Sequence, residues 1–434
     1  MKVLWFSQVP PPKVCERFGL QTHYGCWWIW ALLQELVGHT DLELAVAWAH
    51  RDWKARENFS LDGIKYYVFP EPGRLVRGGG FWRRLDDELA NLVTFARDDR
   101  TVAEAVAVVG DFKPDLVHVF GTESCYGLAA SLIQPPLVVW IQGILDVYQH
   151  HFLGSLRSME RLGQPRLLWR YCRMRADAAR EREIYRRSFY FIGRTYWDAA
   201  HQARLQPQGH YFQVQECMRP EFYAAPAWKL DEAQRQTVYT TTSPSPLKGT
   251  DVLVQAIGLL RSRFPGIQLR VAGPLVASDA VPRRLDKLIK KEGVEQRVTF
   301  LGNLNGSEIV RELRRAHVFV LPSFIENSPN SLAEAQLVGV PAVAAFVGGV
   351  PDMVTAEETG MLYQAGDAAA LAQQIARIME DDLLAARISC NGRLVSHTRH
   401  SPARIVGALL SAYKDICNAS PLPMTVETGL QVKN

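Results

Sequence analysis

Short, continuous apolar runs return along this chain at intervals, separated by longer amphipathic stretches, and this pattern limits what the chain can fold into. In the first half the runs are Val3 to Ser7, Leu42 to Trp48, Ile64 to Phe69, Leu116 to Phe120, Leu137 to Ile141 and Tyr190 to Gly193. Runs of this length and composition suit strands buried on both faces, as in a parallel sheet. A second series follows the irregular stretch from Arg219 to Leu230: Val238 to Thr242, Ile267 to Gly273, Val298 to Gly302, Val318 to Ser323 and Pro341 to Phe346. The stretches between read as helices. In Asp251 to Phe264, Leu253, Ile257, Leu260 and Phe264 recur at spacings of four, three and four before Pro265-Gly266 ends the run. Alternating strands and helices in two series predict an α/β protein with two doubly wound sheets.

The 434 residues are enough for two or three domains of about 150 residues. The division expected is a first domain over 1–215 and a second over 216–401. A helix at about 402–418 packs back on the first domain, and 420–434 forms a mobile tail without apolar periodicity. Doubly wound sheets bind ligands beyond the carboxyl ends of their strands, so the cleft between the domains is the expected site.

Composition removes other classes. With 47% hydrophobic and 22% charged residues the chain can bury full cores, which excludes wholesale disorder. A net charge of +4 is too small to mark a nucleic-acid binder by its field. No run reaches the roughly 18 apolar residues of a spanning helix, and Pro10-Pro11-Pro12 breaks the first apolar run before a signal peptide develops. The seven cysteines are scattered without a C-x-x-C pair, which fits reduced thiols in a cytoplasmic protein.

The most informative stretch follows Val318-Phe319-Val320-Leu321, where Pro322 to Glu326 form a loop and Asn327-Ser328-Pro329-Asn330-Ser331 open a helix. Ser328 is the expected cap and Pro329 the first helical residue. The amides near Asn330 and Ser331 would hold a phosphate, and Glu334, one turn on, could accept bonds from ribose hydroxyls. Taken alone, Glu326 and Glu334 read equally as a solvated loop acid and a surface helix residue.

In context, Glu326-x7-Glu334 with Ala335 and Gly339-Val340-Pro341 resembles the E-x7-E region of the retaining family 4 glycosyltransferases of GT-B fold. The likeness is greatest to the bacterial capsular and exopolysaccharide enzymes. Further matches are Ser245-Pro246-Leu247-Lys248-Gly249, Val271-Ala272-Gly273-Pro274, Phe300-Leu301-Gly302-Asn303-Leu304 and Val347-Gly348-Gly349-Val350-Pro351. In the first half Tyr24-Gly25-Cys26-Trp27, Pro114 to His118, Gly121-Thr122-Glu123, Ile141-Gln142-Gly143 and Ile192-Gly193-Arg194-Thr195 also match.

The resemblance implies two Rossmann-like domains facing a central cleft and a donor held without cofactor. Lys248 would meet the donor diphosphate, Glu326 the transferred sugar, and Asn330, Ser331, Glu334 and Leu304 the rest of the nucleotide. Gly25 would let the first-domain loop approach the phosphates. Where relatives carry an Arg five positions before the Lys, this chain has Ser243, and Cys26 replaces a second glycine. Relatives also end the strand before Gly143 in histidine, here Gln142, which leaves His118 as a stand-in; a structural histidine is an equal reading. Gln142 and Glu123 are further candidates on the acceptor or sugar side.

No Asp-x-Asp triplet is present, and Asp86-Asp87, Asp98-Asp99 and Asp381-Asp382 sit in helical contexts, so no metal site is expected. Between 151 and 190, ten arginines face four acids, with Leu156, Leu167, Leu168, Trp169, Tyr171 and Met174 interleaved. This segment reads either as an anionic-membrane contact for a lipid-linked acceptor or as helices packed on the first domain. Nucleic acid ranks behind both and is not expected as a partner, because no recognition motif accompanies the patch.

The expectation is therefore a cytoplasmic glycosyltransferase, peripheral on the inner membrane face. It would move sugar from a nucleotide donor to a lipid-linked glycan acceptor in surface polysaccharide synthesis. The rivals are a nucleotide-sugar 2-epimerase of the same fold and a catalytically silent interaction protein that keeps the fold.

Overall fold

A computed structural model describes residues 1–20, 27–71, 96–154, 165–274 and 280–419. The first sheet holds β1 (Lys2–Phe6), β2 (Glu43–His50), β3 (Glu57–Leu61), β4 (Ile64–Pro70), β5 (Leu116–Phe120), β6 (Leu137–Trp140), β7 (Tyr190–Gly193) and β8 (His210–Gln213). Their order is β3-β4-β2-β1-β5-β6-β7-β8, parallel except where β3 runs against β4. The second sheet holds β9 (Thr237–Thr241), β10 (Gln268–Ala272), β11 (Val298–Gly302), β12 (Val318–Leu321), β13 (Ala342–Ala345) and β14 (Met361–Tyr363), ordered β11-β10-β9-β12-β13-β14.

Strand order reverses beside β1 in one sheet and beside β9 in the other, which opens a crevice at each carboxyl edge. In the first sheet β1 alternates its side chains between two cores. Val3 and Trp5 join Trp28, Phe120 and Trp140 on one face, while Leu4 and Phe6 join Tyr67, Ile184 and Tyr185 on the other. The helix Pro402–Asn418 returns to the first of these cores through Ile405, Val406, Leu409, Tyr413 and Ile416. Each aliphatic side chain buried there stabilises by roughly 1.5–3 kcal/mol relative to exposure, which fixes the returning helix to the first domain. The linker changes core between neighbouring residues: Val214 and Cys217 pack in the first domain, Met218 in the second.

Three strands are absent from the sequence expectation: β3, β8 and β14. All lie at sheet edges, and no residue of β3 or β8 is fully buried, so neither carries a continuous apolar run. The helix Thr250–Leu260 stops four residues before Phe264, which is buried after a turn. The helix expected from Pro329 runs from Asn330 to Val338, with Pro329 as its N-cap and no side-chain cap, so Ser328 does not cap it. The tail 420–434 lies outside the described residues.

Candidate active site

A cavity of about 660 Å³ opens between the carboxyl edges of the two sheets. The second domain lines it with loops after β9 (Thr242, Ser243, Lys248), β10 (Gly273), β11 (Leu304) and β12 (Glu326). The first domain contributes Trp28, Gln142, Tyr148 and Arg194.

Lys248 ends a single turn, Pro246–Lys248, and Glu326 stands on the loop leaving β12. The two loops are joined by the Phe324 amide donating to the Leu247 carbonyl at 2.8 Å. Lys248 Nζ lies 2.6 Å from Glu326 Oε1, and Ser323 Oγ donates to the same oxygen at 2.7 Å. Both bonds end on one oxygen, and among the described residues none bonds Oε2, which leaves it for a ligand. The Lys248 side chain is 35% exposed against 12% for Glu326, which makes the ammonium the more accessible partner for an incoming anion.

The helix Asn330–Val338 begins at the cavity, with Asn330 and Ser331 lining it and no side chain capping its first turn. Its amides and dipole favour an anion there. Glu334, one turn on, also lines the cavity and is bonded at 2.8 Å by Arg219 Nη2. Burial pushes the Glu334 carboxyl above its ordinary range, and the Arg219 guanidinium opposes that shift. Arg219 sits over the Phe222 ring, 4.8 Å from its centroid, at the turn that opens the short helix Pro220–Tyr223.

Arg194 ties the linker to the first domain: it is buried, ion-paired with buried Glu216, and donates to the Gln142 carbonyl. Asn327, next to Glu326, bonds to the first domain through Gln142, Asp198 and Thr195. The Tyr148 hydroxyl is pushed up by burial and by the charge of Glu326.

Of the residues named from sequence, Lys248, Glu326, Asn330, Ser331, Glu334, Leu304 and Gln142 meet at this cavity. Gly25 lies outside the described residues. Glu123 stands behind the cavity wall: its Oε1 accepts from the Gly143 amide and its Oε2 from Gln8 Nε2, both at 3.3 Å.

His118 is corrected. It sits mid-strand on β5, sharing a face with Leu116 and Phe120, and is fully buried against Trp5, Phe120, Trp140 and Tyr413. Burial pushes its imidazole down to about 3, so it is neutral. The Tyr413 hydroxyl accepts from Trp5 Nε1 at 3.0 Å and is hydrogen-bonded to His118 Nδ1. Its surroundings are a core, not a cleft.

Arg194 and Arg219 escaped the sequence reading. Arg194 lay inside a matched motif, Ile192 to Thr195, and Arg219 replaced no expected cation. Only the fold brings Arg219 beside Glu334, 115 positions away.

The arginine-rich segment forms the long helix Pro165–Arg187, with 155–164 outside the described residues. Arg180 pairs with Asp98 and Asp177, Arg182 with Asp146, and Arg186 and Arg187 with Glu183. Tyr171 and Met174 are partly buried and pack at the domain junction with Phe152, Leu247 and Ile325. Among the described residues no helix is long and apolar enough to cross a membrane, and no group of three or more His, Cys, Asp or Glu gathers as a metal site.

The overall arrangement is shared with solved structures of low sequence identity. Sucrose-phosphate synthase from Thermosynechococcus elongatus superposes with a TM-score of 0.68 at 17% identity, covering 96% of this chain and 100% of that one. Anabaena HepE, solved with UDP and glucose, gives 0.63 at 19% identity, covering 95% and 99%.

This is the GT-B fold.

Its second domain carries the sequence likeness. Residues 229–395 match the family described as glycosyl transferases group 1. Over 173 residues the chain is 36% identical to D-inositol 3-phosphate glycosyltransferase of Corynebacterium glutamicum (strain R), covering 39% of this chain and 41% of that protein. The Streptomyces avermitilis protein of the same name is 32% identical over 180 residues, covering 40% and 38%. The matches thus span about two fifths of the curated relatives' length. Lys248, Glu326 and Glu334 fall inside the matched stretch, whereas the first-domain wall of the GT-B cleft falls outside it.

Proposed function

We propose that the protein is a retaining glycosyltransferase of family 4 that transfers a sugar from a nucleotide-sugar donor to a hydroxyl of a lipid-linked glycan in surface polysaccharide synthesis. The observation that carries this reading is the Lys248–Glu326 pair at the mouth of the helix Asn330–Val338, with Glu334 and Arg219 one turn deeper in the same cavity. The helix amides and Lys248 receive the diphosphate. Glu334 accepts from the ribose hydroxyls and Glu326 Oε2 from hydroxyls of the sugar.

As the bond from the anomeric carbon to the diphosphate breaks, the acceptor hydroxyl oxygen bonds to that carbon and its proton passes to the departing phosphate oxygen, while Lys248 leaves Glu326 to meet the negative charge growing on the diphosphate. Domain closure, desolvation and orientation supply the remaining rate, without a dedicated strong base. The diphosphate charge is met by these protein groups, with no divalent ion required. The acceptor enters from the first-domain side, past Gln142, with Glu123 behind it. The protein works in the cytoplasm, on the inner face of the membrane.

HepE is solved with UDP, so UDP is the first nucleotide to test. Thermal unfolding is measured with UDP, GDP, ADP and CMP separately. A ligand that binds only the folded state at 100 times its Kd stabilises by about 2.7 kcal/mol. Stabilisation by one nucleoside diphosphate is expected, and no stabilisation by any would overturn the reading. Product analysis without acceptor separates transfer from epimerisation.

A further inference from the structure

Lys248 and Glu326 belong to the second domain, yet residues beside each are gripped by the first. Before Glu326, Ile325 packs with Phe152, which is fully buried on the first-domain helix Leu145–Gly154. After Glu326, Asn327 Nδ2 donates to the Gln142 carbonyl at 3.0 Å and to Asp198 Oδ2 at 2.8 Å, while its Oδ1 accepts from Thr195 Oγ1 at 2.7 Å. On the other loop, Leu247 precedes Lys248 and joins Phe152 and Ile325 in the same apolar cluster. Arg170 Nη1 donates to the Pro244 carbonyl of that loop at 2.8 Å.

The backbone behind Glu326 is equally confined. The Gly349 amide donates to the Glu326 carbonyl at 3.1 Å, and a Cβ at Gly349 would stand 2.3 Å from the Asn327 carbonyl oxygen and 2.6 Å from Thr195 Cγ2.

From these contacts we infer that the first domain is the template that sets the Lys248–Glu326 geometry, with Asn327 and Phe152 as its positioning residues. The inference rests on the proposed transfer at this pair. Loops leaving a sheet are the mobile parts of such folds, and here two are fixed together by side chains of the opposite domain. Most of the nucleotide grip needs no such help, because Glu334, Arg219 and the helix Asn330–Val338 lie in the second domain and its linker, and only Lys248 is shared with the positioned pair. Holding nucleotide and organising the sugar step are thus separable. The reacting centre is complete only while the first domain is seated on both loops, and a misplacement of about 1 Å there costs about a hundredfold.

The test uses the full chain and the nucleotide sugar that it turns over, with nucleotide release and free-nucleotide Kd measured for Asn327→Ala, Glu326→Ala and the double variant. Asn327→Ala is expected to lower kcat by about 10- to 100-fold while Kd stays within about threefold. Because Asn327 acts through Glu326, adding Asn327→Ala to Glu326→Ala costs less than about threefold more. Phe152→Ala follows the same pattern, and the milder Phe152→Leu, which keeps a bulky apolar side chain in the cluster and recovers most of the turnover, supplies the comparison if the alanine variant does not fold. Full multiplication of the two losses in the double variant, or a nucleotide Kd that weakens in step with kcat in Asn327→Ala, overturns the inference. A wild-type chain that turns over no nucleotide sugar overturns the proposed function, and this inference with it.

Discussion

Gly249→Ala probes the junction of the two loops that carry Lys248 and Glu326. Gly249 follows Lys248 at φ 62, and a Cβ there would stand 1.9 Å from the Pro322 carbonyl oxygen and 2.9 Å from the Pro322 carbonyl carbon. Restoring an ordinary 3.4 Å contact requires the loops to part by about 1.5 Å. Lys248 Nζ and Glu326 Oε1, now 2.6 Å apart, would then leave hydrogen-bond range. The left-handed backbone adds roughly 1–2 kcal/mol for a residue with a Cβ. In a domain of this size each kcal/mol lowers Tm by about 2–4 °C, so a drop of about 2–8 °C is expected. Turnover is expected to fall by about a hundredfold, beyond what the stability loss explains. Nucleotide release measured well below Tm, with a melting curve on the same sample, decides it. A Gly249→Ala protein that turns over at the wild-type rate would refute the coupling of the two loops.

Further outcomes follow from the same contacts. Arg219→Met removes the cation beside Glu334, so burial and the charge of Glu221 push that carboxyl higher still. Nucleotide binding is expected to weaken and to recover as pH rises and Glu334 ionises, and a variant Kd that does not change with pH would contradict this. His118, held neutral at about 3 when folded against an ordinary 6.5, binds its proton more readily when unfolded, so its share of stability is full above pH 6.5 and is lost as pH falls toward 3. His118→Phe should therefore flatten part of the acid side of the stability profile and leave transfer intact, and loss of transfer in a folded variant would reinstate a role in the cleft. Transfer is expected to survive EDTA unchanged, and a loss restored by Mg²⁺ would refute a metal-free diphosphate site.

The central strands were legible because a strand buried on both faces must be apolar throughout, as Val318 to Leu321 are. The edge strands β3 and β8 were not, since none of their residues is fully buried. Spacing along the chain named the groups that reach one cavity from a single loop and helix, such as Glu326, Asn330 and Glu334. It could not name Arg219, whose partner is set by the linker's path between domains. His118 shows the limit of strand reading. Alternation says that it shares a face with Leu116 and Phe120, but only the returning helix with Tyr413 shows that this face is a core. Phe152 was equally hidden, because its role depends on contact with the opposite domain.

That Glu326 serves the sugar while Glu334 and the helix Asn330–Val338 hold the nucleotide is tested most directly by measuring transfer and nucleotide Kd on one preparation of Glu326→Ala. Loss of one preorganised hydrogen-bonding group at a reacting centre costs about 10²–10³ in rate. The predicted result is a fall of that size in transfer with nucleotide Kd within about threefold of wild type. Transfer at the wild-type rate, or a nucleotide Kd that weakens as much as transfer does, would contradict it.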